Sequence, residues 1–243
     1  MIALLKKEIS VFLSSLIGYI VICVFLVAIG LTMWVLPLDS NILNGGYAGI
    51  DPLFVTAPWV FLFLIPAITM RSFAEEKRSG TIELLLTRPI SDMEIVMAKF
   101  LASVVLVVLA LIPTLVYYYS VYKLGNPPGN LDSGRTWGSY LGLIFLTGGF
   151  VSIGVFASAI TGNQVVSFIV AIVLCFFCYE GFAYLGDMVS SGITGNFIQQ
   201  LSISTHYSSM SRGVIDTRDV LYFVSISAVF LLMSRTALES RKW

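Results

Sequence analysis

The chain has 243 residues with a mean hydropathy of +0.91; 57% are hydrophobic and 12% charged, and 14 Lys+Arg balance 14 Asp+Glu. A soluble domain carries about 25% charged residues, and no globular core of this length hides so much apolar surface. The composition excludes a disordered chain, and zero net charge leaves no basic field for nucleic acid; what remains is an all-α integral membrane protein.

At the N-terminus, Ile2, Leu5, Ile9 and Phe12 recur at helical spacing, while Lys6, Lys7, Glu8 and Ser10 fall mostly elsewhere. This predicts an amphipathic helix over 2–15, lying flat on one leaflet and turning into the first span near Gly18. A longer, partly exposed first span is the other reading. The uncharged run from Ile9 to Leu38 has 30 residues, against about 7–15 for a signal-peptide core. It is read as an uncleaved span over about 16–38.

Crossing a hydrocarbon core of about 30 Å takes about 20 helical residues. Pro52–Met70 and Phe100–Tyr122 meet that length without a charge, predicting spans at 52–70 and 100–122. The 44 uncharged residues from Thr136 to Tyr179 are too many for one crossing. The polar cluster Thr161-Gly162-Asn163-Gln164 splits them into a tight hairpin of spans at 137–160 and 165–185. The last run, Val220–Ser234, has only 15 residues, so a span at 219–238 needs Arg235 to snorkel. Pro66 and Pro113 are expected to bend spans two and three.

Six crossings put both termini on one side, together with ten of the 14 Lys and Arg residues. The positive-inside tendency makes that side cytoplasmic. Trp34, Tyr117, Tyr118, Tyr119, Tyr122, Trp137 and Tyr184 then fall at the outer interface, where amphipathic rings are favoured. Trp59 lies inside span two, in neither belt.

Two segments are more than simple connections. Residues 71–99 hold ten charges, five of each sign. Arg71–Arg78 reads as helix, Gly80 as a break, and Thr81 as a cap for the next short stretch. Glu83–Thr87 is too short to cross a membrane, Pro89 stops it, and Ser91-Asp92-Met93-Glu94 fits a capping box. A docking element for a cytoplasmic partner and a charged interfacial linker both satisfy this pattern. On the other side, residues 186–218 place Ile193, Phe197, Ile198, Leu201, Tyr207 and Met210 at loose helical intervals, predicting one or two half-immersed helices. His206, without a neighbouring acid in sequence, is read as a hydrogen-bonded interfacial residue.

Within the spans, Gly138/Gly142, Gly148/Ser152 and Gly154/Ser158 have small-xxx-small spacing, marking a packing face without naming its partner. Glu180 is the one acid inside an apolar run. A wet or interfacial position, a place in a transport pathway or helix pair, and a displaced span boundary are all open for it. Cys175 and Cys178 have C-x-x-C spacing but no companion ligands, and with Cys23 are read as packed thiols, with no metal site. The chain lacks a phosphate-binding G-x-x-x-x-G-K-[ST] loop, H-E-x-x-H and G-x-S-x-G, so no catalytic residue is assigned.

The segment RSFAEEKRSGTIELLLTRPIS over 71–91, with Glu94, Ile95 and Lys99 after it, resembles the permease subunits of type-2 ABC exporters. So do the Lys7-Glu8 start and the stretch HYSSMSRGVIDTRD over 206–219. Among these the chain is most similar to the gliding-motility-associated ABC permeases of Bacteroidetes, and also resembles permeases serving cofactor maturation. The resemblance implies a single permease domain over 1–243 with six transmembrane helices, an N-terminal interface helix and a cytoplasmic coupling helix. In it, Phe73, Glu75, Glu76, Arg78, Gly80, Thr81, Glu83 and Leu84 form or support the ATPase-coupling element. It further implies a cytoplasmic ABC ATPase that binds the ATP and Mg, so that this chain holds no cofactor and is no enzyme. A second copy or related permease, an auxiliary membrane protein of the gliding apparatus and a bacterial inner-membrane location complete the implied setting. A non-transporting scaffold or force-coupling subunit of a motility or secretion machine fits the same segments.

Overall fold

The computed structural model describes residues 1–38, 40–44, 47–81, 91–189 and 192–240. Within these, all regular structure is helical. Helices α1 (Ile2–Leu13) and α2 (Leu16–Trp34) precede α3 (Asp51–Thr69) and the short α4 (Ala74–Arg78). Then come α5 (Asp92–Leu111), α6 (Leu115–Leu124), α7 (Ser133–Ile160), α8 (Gln164–Phe176) and α9 (Phe182–Met188). Two short outer helices, α10 (Ile193–Gln199) and α11 (Ile203–Met210), lead into α12 (Thr217–Glu239).

Five helical stretches among the described residues are long and apolar enough to cross a membrane. They run over Asp51–Arg78, Asp92–Leu124, Ser133–Ile160, Gln164–Met188 and Thr217–Glu239. A sixth is added if Ile2–Leu13 and Gly18–Trp34, bent by 68°, count together. The protein is an all-α, multi-pass membrane protein.

The local chemistry accounts for the breaks. Ser15 caps α2 by accepting from the Gly18 N–H at 3.2 Å, so the bend falls at Ser14–Ser15, slightly before the expected Gly18. At Pro113, which has no N–H to donate, the helix tightens into a 3₁₀ turn over Ile112–Thr114 between α5 and α6. By contrast, α3 stays helical through Pro58 and Pro66. Asn163 caps α8 through the Val165 N–H and closes the expected hairpin. Asp216 caps α12, which extends to Glu239 and so has the length the 15-residue uncharged run alone lacked.

The bundle is organised around α7, the most buried of the long helices, which packs against α3, α5, α8, α11 and α12. Lipid tails are as apolar as leucine, so burial of Phe25, Phe54, Phe61, Phe150 and Phe223 stabilises through packing rather than escape from water. Phe25 lies 5.5 Å from Phe61, and Phe54 meets Tyr140 edge-on at 5.1 Å. The glycines of α7 have different partners at its two ends. A Cβ on Gly138 would lie 2.5 Å from the Gly213 carbonyl, and one on Gly142 would lie 2.7 Å from Met210. A Cβ on Gly154 would lie 2.1 Å from the Thr69 hydroxyl at the end of α3. Gly213 itself has φ +81 and no room for a side chain, its Cβ meeting the Arg135 carbonyl at 2.5 Å.

Two expectations need correction. Arg71–Arg78 is not one helix: residues 70–73 form a turn and α4 starts at Ala74. On α1, Ile2 is exposed and Leu4 takes its place against the bundle, with Leu5, Ile9 and Phe12.

Candidate functional site

The turn after α3 is held from the side by α7. Ser158 of α7 accepts hydrogen bonds from the Phe73 N–H at 2.9 Å and the Ala74 N–H at 3.0 Å, and donates to the Met70 carbonyl at 3.1 Å. These groups sit where one helix ends and another begins, so their backbone polar atoms have no helical partner. The close approach needs the space at Gly154, one turn earlier on the small-residue face of α7. Lys77 of α4 also donates to the Ala159 carbonyl.

That turn directs Phe73 inward. Its ring is wholly buried, and the Lys99 ammonium of α5 sits 5.1 Å from the ring centroid. Lys99 is 2% exposed and makes two ion pairs, 3.1 Å to Glu8 of α1 and 3.0 Å to Glu76 of α4. One cation thus joins α1, α4 and α5, the three elements that meet at this end of the bundle. A buried lysine is tolerated only with such partners. Beside it lies a cavity of about 200 Å³ whose polar lining includes Lys7, Arg71, Glu75 and Glu76. Arg71 Nε and Glu76 Oε2 are themselves closed to water and without a hydrogen-bond partner.

The expected coupling residues therefore divide into two sets. Phe73 and Glu76 face inward and brace the element. Glu75, Arg78, Gly80 and Thr81 are exposed on its outer side. Gly80 has φ +72, a left-handed conformation that ends the helix after Ser79, and the Thr81 hydroxyl lies 2.9 Å from that of Ser79. Glu83 and Leu84 lie outside the described residues. The capping box at Ser91 is present: Ser91 Oγ accepts from the Glu94 N–H at 3.3 Å, and Glu94 accepts from the Ser91 N–H at 3.1 Å.

At the other end, Glu180 occupies a π-helical turn, Phe177–Gly181, between α8 and α9. The wider turn shifts the helical ladder, and the Tyr179 carbonyl is taken by the Ser202 hydroxyl. Glu180 is partly exposed and lines an open groove of about 460 Å³ with Trp59, Tyr179, Ser204, Tyr207 and Ser208. Trp59, outside both aromatic belts, meets Tyr179 edge-on at 5.8 Å. His206 does have an acid partner, brought from 13 residues away. Its Nδ1 lies 2.7 Å from Asp219, its Nε2 lies 2.9 Å from the Gln200 carbonyl, and its ring stacks on Tyr222 at 3.9 Å.

Sequence reasoning missed Ser158 and the Lys99–Glu8–Glu76 cluster. The available signal was Lys99 itself, a charge at the edge of 23 uncharged residues that needs a partner within the protein.

The sequence matches the family described as ABC-2 family transporter protein over residues 2–238. The chain belongs to that family. No curated protein matches it. ABC-2 permeases are generally non-catalytic membrane components that typically pair with a cytoplasmic ATPase and often dimerise. In this ABC-2 protein the described residues contain no group of three His, Cys, Asp or Glu side chains placed to hold a metal ion. Cys23, Cys175 and Cys178 are free thiols.

Proposed function

We propose that this ABC-2 protein is the permease subunit of an ATP-driven exporter, set in a bacterial inner membrane with both termini cytoplasmic. A separate ABC ATPase, which holds the ATP and Mg, docks on the outer side of the 71–84 element. Glu75, Arg78, Gly80 and Thr81 form the described part of its surface, and the resemblance adds Glu83 and Leu84 to the docking residues. Phe73 and Glu76 transmit the movement inward. The observation that carries this reading is the way α4 is fastened: an outward charged face whose inner side is tied to α7 by Ser158 and to α1 and α5 by Lys99. A push on that face displaces three elements together, which a loosely attached interfacial linker would not do.

In this reading a second copy or a related permease faces the chain across a central pathway, and Glu180 stands in the groove near its outer end. The resemblance to gliding-motility permeases supplies the setting, an ABC transporter acting with an auxiliary membrane protein. The test is co-purification of the ATPase with Glu75→Arg/Arg78→Glu, both at positions that water reaches. Retention should fall at least ten-fold while the chain still inserts in the membrane. Undiminished retention contradicts the docking surface.

A further inference from the structure

Two kinds of surface line the groove that holds Glu180. Ser204, Ser208 and Ser211 recur at i, i+4 and i+7 along α11 and just past its end, with Thr205 beside them, and so share one helical face. On α3, Val55 and Trp59 lie one turn apart and are both exposed, and Tyr179 meets the indole edge-on at 5.8 Å. Phe54, almost wholly buried, completes the apolar part. Of the six hydroxyls in the lining, five donate to protein oxygens. Thr205 gives its proton to the Gln199 carbonyl at 3.0 Å, Tyr207 to that of Phe54 at 2.7 Å, Ser208 to that of Thr205 at 2.7 Å and Ser211 to that of Ser208 at 3.0 Å. Ser202 spends its proton on the Tyr179 carbonyl, so Ser204, 2.9 Å away, is the donor in their pair. These groups can therefore offer a guest only lone pairs. The other two side-chain protons in the lining belong to the aromatics, the Tyr179 hydroxyl and the Trp59 indole.

Glu180 adds a carboxylate that water reaches, and among the described residues no Lys, Arg or His forms an ion pair with it. Arg212 donates through Nε to the Ser208 carbonyl at 3.1 Å and is not part of the lining. An acid within an apolar run needs a cavity or a partner, and this cavity is rich in acceptors. We propose that the groove binds small organic cations that carry a primary ammonium on an apolar stem. The ammonium N–H groups donate to Glu180 and to hydroxyl oxygens of α11, while the stem lies on Val55 and Trp59, whose indole face also attracts the charge. An anion, or the phosphate of a zwitterionic lipid, meets the Glu180 carboxylate. A quaternary ammonium keeps the attraction of the indole but has no N–H for the oxygens. A neutral sugar can use the hydroxyls and stack on Trp59, but leaves Glu180 without a counter-charge. The volume of about 460 Å³ suits one such molecule. Binding needs neither ATPase docking nor transport, so this site and the exporter reading fail separately.

The test is titration calorimetry of the full chain in detergent, against protein-free micelles, with hexylammonium, hexyltrimethylammonium, hexanol and methyl glucoside. Hexylammonium should bind about ten-fold more tightly than hexyltrimethylammonium or hexanol. Glu180→Gln, which keeps the shape of the side chain, should erase that margin, whereas Asp187→Asn, at an exposed acid outside the groove, should keep it. Trp59→Leu, at an exposed position, carries the test should Glu180→Gln fail to fold: hexylammonium affinity should fall about five-fold while that for hexanol stays unchanged. Equal affinities for hexylammonium and hexanol, a margin that survives Glu180→Gln, or a Trp59→Leu chain that binds hexylammonium like the parent overturns the site. Binding of methyl glucoside without binding of hexylammonium overturns the charge as its basis. Tighter binding of N-acetyl-lysine methylamide than of hexylammonium assigns the ammonium to a partner protein's lysine and overturns the small amine as its source.

Discussion

Replacing Lys99 with methionine removes one charge while keeping an unbranched side chain of similar length that still packs over Phe73. The change leaves Glu8 and Glu76 facing one another without their shared cation. Each oxygen lies near 3 Å from the lysine nitrogen, so the two are within about 6 Å, where like charges at an effective dielectric of ~20 repel by about 3 kcal/mol. Breaking a buried ion pair by removing one partner costs about 3–5 kcal/mol. The carboxylates are 22% and 16% exposed, so water softens the loss and the lower end applies. For a chain of this size, about 3 kcal/mol corresponds to a fall of roughly 6–12 °C in melting temperature. Thermal unfolding of the purified protein in detergent measures it. Adding Glu8→Gln to the Lys99→Met background ends the repulsion and should recover at least half of the loss, although each substitution alone destabilises. A Lys99→Met melting temperature within about 2 °C of the parent, or no recovery in the double variant, refutes the argument that this cation holds the three elements together.

Other outcomes rest on the contacts of α7 and α4. Gly154→Ala forces a Cβ into the buried Thr69 hydroxyl, which is held by the Ile65 carbonyl at 2.9 Å, and should cost about 1–3 kcal/mol. Gly148→Ala meets only Ser227 at 3.7 Å and should match or slightly exceed the parent's melting temperature, by up to about 1 kcal/mol from helix propensity. Ser158→Ala orphans the Phe73 and Ala74 amides together, so a loss of about 2–4 kcal/mol is expected in the same melt. Gly80→Ala meets no atom within 4 Å, so its cost of about 1–2 kcal/mol is conformational. It should appear as faster proteolysis of the 74–81 segment with an unchanged global melt.

The elements legible in the sequence were those decided by local chemistry. Uncharged run length located the long apolar helices, Ser91 and Glu94 the start of α5, and Asn163 the hairpin between α7 and α8. Pro113 marked the break between α5 and α6 because its missing N–H acts only on adjacent residues. What was not legible depends on residues far apart in the chain. Lys99 meets Glu8 across 91 positions, and Ser158 meets the Phe73 amide across 85. Nothing in either neighbourhood encodes the partner. The small-residue spacing on α7 showed that something packs closely there, but a glycine specifies the distance and not the neighbour. The same limit explains Phe73. The resemblance names Phe73 among residues that form or support the coupling element without saying which way it faces, and the turn at 70–73 points it into the bundle. Phe73→Ala would remove a buried ring at a cost of about 3–5 kcal/mol, so its effect on ATPase retention would report folding as much as docking. The π-helical turn at Glu180 left no sequence mark besides the acid itself.

The proposed docking of an ATPase on the outer side of α4 is tested most directly by site-specific photocrosslinking in the assembled complex. A photoreactive residue at Arg78 should capture the ATPase in a nucleotide-dependent manner. The same probe at Asn130, in the loop before α7 at the opposite end, should capture none. Crosslinking from Asn130, or its absence from Arg78 while the complex remains intact, would contradict the account.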